Sequence, residues 1–171
     1  MLEWTRRLRG PPERRLTKPL PLDMDTYVPH GRGVLSPDLL RLIHKTSIGG
    51  ESLRSIGGYR IYAVDGALVR NQVHIDFTTG GNPGRYSYVP EGEVWVERVL
   101  EPADMAASLL HELVETHLMQ VYRQDYDTAH EEASRVETLL RKSMVTTTGR
   151  VYRRRCLLVV SDWYAGWRNS L

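Results

Sequence analysis

Within residues 109–137, "LLHELVETHLMQVYRQDYDTAHEEASRVE", imidazoles and carboxylates recur at helical spacing. Side chains of these types hold metal ions and carry protons, so the question is which of them a helix would bring together. At 100° per residue, His111 and Glu115 lie one turn apart, on one flank of an apolar stripe centred on Ala107, Leu110, Val114 and Val121. Glu112 lies further round on the same side. His117 sits about 120° away from His111, on the opposite flank, and cannot readily share an ion with it. In a second helix Ala129, Ala133, Val136 and Leu140 form the buried stripe, and His130 and Glu137 share its flank. A connection of three or four residues forces the two helices to lie antiparallel and adjacent. His111 and Glu115 then face His130. Two imidazoles, one carboxylate and a position left for water make the ligand set of a catalytic zinc. Glu112 would stand beside that water as general base. Glu137, or alternatively Asp127, could orient His130 from behind. The competing reading is a charged helical hairpin joined by hydrogen bonds and ion pairs, because structural networks mimic sites.

The elements that must position these residues follow from turn signals and periodicity. Prolines recur from Gly10 to Pro37, so residues 1–35 read as an extended basic arm. "SPDLLRLIHK" has Ser36 as a cap, Pro37 at the first helical position and Asp38 in the first turn, which predicts a short helix. From Tyr59 to Leu100, aromatic and β-branched residues alternate with polar ones. "YRIYAV-DG-ALVRNQVHIDF" predicts a hairpin turning at Asp65 and Gly66; "YSYVP" and "EVWVERVL" predict two more strands. The glycine-rich "TTGGNPGR" lacks the Lys-Ser/Thr of a phosphate loop and reads as a hairpin loop or a flap over the cleft. Asp127 is the expected cap of the second helix, and "RCLLVV" a last strand. The expected class is α+β: a small, mostly antiparallel sheet of three to five strands, followed by a helical hairpin packed on it. The expected units are the arm (1–35), the α+β domain (36–143) and a basic strand or tail (144–171).

"HELVE" resembles the HExxH helix of zincin metallopeptidases with glutamate in place of the second histidine, and "AHEEAS" is similar to their downstream third-ligand helix. The preceding sheet, ending in "EVWVERVL", is also similar to the zincin arrangement, in which an edge strand holds substrate. The resemblance covers roughly residues 59–141 and extends to zincin-like proteins of phages and prokaryotes. It implies His111, Glu115 and His130 as ligands, Glu112 as base, and a peptide or protein substrate. Glutamate in place of histidine adds negative charge, which opens the site to Mn2+ or Fe2+ as well as Zn2+.

Composition bounds the remainder. The chain has 171 residues, 41% hydrophobic and 26% charged, with a net charge of +2. No apolar run approaches the roughly 18–20 residues needed to span a bilayer, so no membrane role is expected. The basic N-terminus lacks the apolar stretch of a secretory signal, and the expected location is cytoplasmic, or virion-associated if the phage kinship holds. Cys156 stands alone, which excludes an internal disulfide or a multi-cysteine zinc site and reads as a buried structural thiol. Residues 1–20 carry six Lys/Arg against two acids, residues 101–137 nine acids against two arginines, and residues 141–171 seven Lys/Arg against one acid. The middle is acidic and both ends are basic. Such ends could contact a protein partner or nucleic acid. The main alternative to a hydrolase is therefore a non-catalytic structural or assembly protein; a nucleic-acid-binding module is a third reading, with steeply salt-dependent affinity. His74 reads as an exposed strand histidine; His30 and His44 carry no signal.

Overall fold

The computed structural model describes residues 35–46, 54–146 and 153–171; nearly all of the basic arm, with His30, lies outside them. Among the described residues the chain folds as α1 (Pro37–Thr46), β1 (Arg54–Ile56), β2 (Tyr59–Val64), α2 (Gly66–Gln72), β3 (Gly80–Gly81), β4 (Glu93–Glu97), α3 (Pro102–Val121), α4 (Tyr126–Thr146) and α5 (Arg153–Arg168). The class is α+β, with a small sheet in the order β1-β2-β4-β3.

The described sheet is mixed: two of its three strand pairings are antiparallel and the central one is parallel. β1 and β2 pair antiparallel around Gly57 and Gly58, whose φ values of 61° and 93° suit a two-residue hairpin loop. β2 and β4 pair parallel, with Tyr62 opposite Trp95, and β3 joins β4 antiparallel at the edge. The parallel pairing has a local cause. Asp65 does not begin a hairpin turn; its side chain accepts from Leu68 N at 3.1 Å and caps α2, which turns "ALVRNQ" into a helical crossover. "YSYVP" is likewise no strand. It forms consecutive turns in which Tyr86 and Tyr88 stack, and His74, following α2, packs against Tyr88.

α3 is the axis of the molecule. Pro102 and Asp104 lie in its first turn, where a fixed φ and a negative charge suit helix entry, and Met105 through Leu110 and Leu113 through Leu118 are all buried. Val121, expected in the buried stripe, is exposed. The chain leaves α3 through Arg123 at φ 58°, with Gln124 N bonded back to the Leu118 carbonyl. Asp125, not Asp127, caps α4: its carboxylate accepts from Thr128 N and Oγ1 at 3.0 and 2.9 Å. The remaining face of α3 is covered by α5, which replaces the expected strand "RCLLVV". Cys156, Val160, Tyr164 and Trp167, at helical intervals, join Leu109, Leu110, Leu113 and Val136 in one core. Residues 153–168 therefore belong to the domain and are not a tail. Cys156 is fully buried there. A second core under the other sheet face gathers Ile43, Tyr62, Val69, Phe77, Tyr88 and Trp95. None of the described helices is long and apolar enough to cross a membrane.

Candidate metal centre

The antiparallel pairing of α3 and α4 brings His111, Glu115 and His130 to one point. His111 Nε2 lies 3.3 Å from Glu115 Oε2 and 3.1 Å from His130 Nδ1, and His130 Nδ1 lies 2.8 Å from Glu115 Oε2. Three donor atoms thus form a closed triangle that could hold a metal ion. Burial is graded across it. The Glu115 side chain is 2% exposed, that of His111 12% and that of His130 47%, so the triangle opens to solvent on the α4 side.

His111 and Glu115 are held from behind. Glu137 accepts a hydrogen bond from His111 Nδ1 at 2.9 Å, and is itself held by Arg141 Nε at 2.8 Å. Glu137 therefore orients His111, not His130: it lies seven residues, about two turns, further along α4 than His130 and meets the ring on the facing helix. With Nδ1 protonated, the Nε2 lone pair of neutral His111 faces the triangle, the tautomer a metal requires. Asp127 is exposed in the first turn of α4 and Tyr126 stacks on His130 instead, with ring centroids 5.3 Å apart.

A residue outside the two helices completes the arrangement. Asn82, fully buried after β3, donates from Nδ2 to Glu112 Oε2 at 2.7 Å and to Glu115 Oε1 at 2.8 Å. Its Oδ1 accepts from Gly84 N and Arg85 N at 2.9 and 3.1 Å. One amide thus fixes both carboxylates, leaving Glu115 Oε2 for the triangle. Gly80 makes room for this: a Cβ there would stand 2.7 Å from Glu112 Cγ and Oε1, so the edge strand must be glycine where Glu112 passes.

The electrostatics follow from the crowding of acids. Burial first, then the nearby Glu115 charge, pushes the Glu112 carboxyl up to about 7, against the opposing pull of His111 and Asn82. Burial alone would lower the His111 imidazolium, but the hydrogen bonds to Glu115 and Glu137 and the Glu112 charge reverse this and raise it to about 9. Burial opposes ionisation of Glu115 as well, yet its bonds from His111, Asn82 and His130 hold it below the usual carboxylate range. Glu137 is held down to about 2, chiefly by the His111 bond. In the metal-free molecule, the proton held on His111 offsets part of the carboxylate charge that a cation would otherwise neutralise.

These groups line a cleft of about 260 Å³, bordered also by Thr78, Gly80, Arg85, Tyr86 and Tyr126. The glycine-rich loop thus borders the cleft. Among the described residues, the other histidines lie elsewhere. His117, on the far flank of α3, bonds to Tyr164 Oη through Nδ1 at 3.1 Å, and His44 bonds to Glu93. Comparison with protein-family models, with curated proteins and with solved structures finds no match.

Proposed function

We propose that the chain is a metal-dependent hydrolase of zincin type, acting on peptide bonds, with His111, Glu115 and His130 as ligands and Glu112 as general base. The observation that carries this is the closed triangle of donors with a carboxylate behind His111 and a second carboxylate beside it. Two imidazoles and a carboxylate are a catalytic zinc's ligand set, and a tetrahedral ion with bonds of about 2.0–2.2 Å separates its donors by roughly 3.3–3.6 Å. The observed edges, 2.8 to 3.3 Å, need open by no more than about 0.8 Å to reach that range. Zn2+ is the ion proposed; Mn2+ or Fe2+ tolerates the same mixed N/O set.

A bound divalent ion would supply Lewis acidity at the scissile carbonyl and acidify the attacking water. The chain's own residues do the rest. Glu112, buried beside the ligand triangle, would take a proton from water and return it to the leaving amine. The Asn82 bond keeps it from swinging into the ligand triangle. Glu137 and Arg141 hold the His111 ring in one orientation, and Gly80 lets the backbone of an edge strand lie against the reacting side chain.

The test is elemental analysis of full-length protein purified without chelator, followed by screening of the metal-loaded form on mixed peptides. About one equivalent of metal with peptide cleavage supports the reading. A folded protein that takes up neither zinc, manganese nor iron removes it.

A further inference from the structure

Of the two arginines lining the metal cleft, one is committed and one is not. Arg141 is bonded to Glu137 and to Asp104, at 2.8 and 2.6 Å. Arg85 has no carboxylate partner among the described residues; its guanidinium lies over the Tyr126 ring at 4.8 Å from the centroid and 5.4 Å from that of Tyr86. We propose that Arg85 is the specificity residue of this cleft, binding a carboxylate that the peptide carries within about three residues of the bond cleaved. The proposal rests on the hydrolase reading of the same cleft and names its substrate class.

Three observations carry it. First, the arginine is tied to the reacting groups: its backbone N bonds to the Oδ1 of Asn82, whose Nδ2 holds Glu112 and Glu115. Second, the Tyr126 ring under the guanidinium also stacks on His130, with centroids 5.3 Å apart. The cation is thus separated from a metal ligand by two stackings, a span that roughly three extended residues cover at ~3.3 Å each. Third, a cation–π contact uses none of the guanidinium's N–H donors, so the fork that pairs with a planar carboxylate remains available.

The surrounding charges sharpen the selectivity. Asp104, Glu112, Glu115 and Glu137 all line the cleft. An acidic group placed beside these carboxylates meets like charge, whereas at Arg85 it meets a cation with no carboxylate partner among the described residues, so the cleft discriminates by position as well as by sign. A phosphate dianion would meet the same acids with greater repulsion, and for that reason the carboxylate is the anion assigned.

Calorimetry on the full-length, metal-loaded protein tests this without turnover. The probes are mono-hydroxamates of straight-chain dicarboxylic acids of increasing length, each paired with its terminal carboxamide. At one chain length the acid should bind about tenfold more tightly than its amide, the gain expected of one charge-assisted hydrogen bond. R85A should erase that difference and leave amide binding unchanged, while R85K should keep part of it. Equal binding of acid and amide by the wild type, or a difference that survives R85A, overturns the proposal and leaves the hydrolase reading standing. Suppression of the acid probe's advantage over its amide by inorganic phosphate more readily than by acetate overturns the choice of carboxylate. Failure of every hydroxamate to bind removes the hydrolase reading and this one with it.

Discussion

Two buried glutamates, Glu93 and Glu115, meet histidines in this molecule, and they do so in opposite ways. Glu93, 3% exposed on β4, accepts at Oε2 from Trp95 Nε1 and from His44 Nε2, both at 2.9 Å, and at Oε1 from Arg60 at 3.2 Å. One guanidinium, one indole and one imidazole saturate one carboxylate, and the His44 ring stacks on Tyr62 at 4.1 Å. The cluster fastens α1 to the sheet, and its charge is balanced by the protein itself. Glu115, 2% exposed, has two imidazole nitrogens converging on the same oxygen and on each other. Around it Glu112, Glu137 and Asp104 leave carboxylates in excess of Arg141 and Arg85. Equal burial with unequal neutralisation separates a structural network from a site that favours a cation.

The sharpest way to break this contrast is to remove one histidine from each side. H111A and H130A should each reduce bound metal from about one equivalent to none, whereas H44A should leave it unchanged. Retention of metal by both of the first two would make the α3–α4 cluster no different from the Glu93 cluster. Next in size, E112Q in metal-replete protein should lower the peptidase rate by roughly 10²–10⁴-fold with metal content intact, the range for loss of a general base. A full rate in that variant would sink Glu112 as the base. E137Q should weaken metal affinity by about 10–100-fold, as loss of a carboxylate behind a ligating histidine does. E93Q should act on the other side of the contrast only. It should lower stability by roughly 1–3 kcal/mol, because three donors lose a charged acceptor, with metal affinity unchanged.

Why one side was legible in the sequence and the other was not is a matter of periodicity and distance along the chain. His111, Glu115 and His130 could be placed together because a helix fixes the angle between residues and a four-residue link fixes how two helices lie. Asn82 could not, because it reaches the site from a loop 30 residues before Glu112, and only tertiary packing brings it there. The one local signal was the "NPG" that follows two glycines, an Asn whose carbonyl closes a turn and whose amide is left to donate elsewhere. The fold was misjudged where two structures share one chemistry. Asp-Gly suits a hairpin turn and a helix cap equally, and the residues after it decided for the helix. In "RCLLVV" the β-branched pair suggested a strand, although Cys156, Val160, Tyr164 and Trp167 already stood at helical intervals.

The smallest expected effect lies in the pH dependence of the metal-free protein, and it concerns only the unbalanced side. Glu112 at about 7 and His111 at about 9 both hold protons in the folded state that the unfolded chain releases, near 4.5 and 6.5 respectively. The stability each contributes is complete below the unfolded value and is lost as pH rises through the folded one, so the two windows run from 4.5 to 7 and from 6.5 to 9. Glu137, depressed to about 2, acts with the opposite sign, and only as pH falls below 4.5. Thermal melts in chelator should therefore decline between about pH 5 and pH 9. Metal reverses the trend, since an ion at His111 Nε2 takes the place of the proton held there, and its binding strengthens as protons become scarce. The gap between metal-loaded and metal-free melting temperatures should widen steadily over that range, in the H44A variant as in the wild type. A gap that stays constant with pH would mean that no imidazole proton is displaced, and that the cluster neutralises its acids without a cation, as Glu93 does.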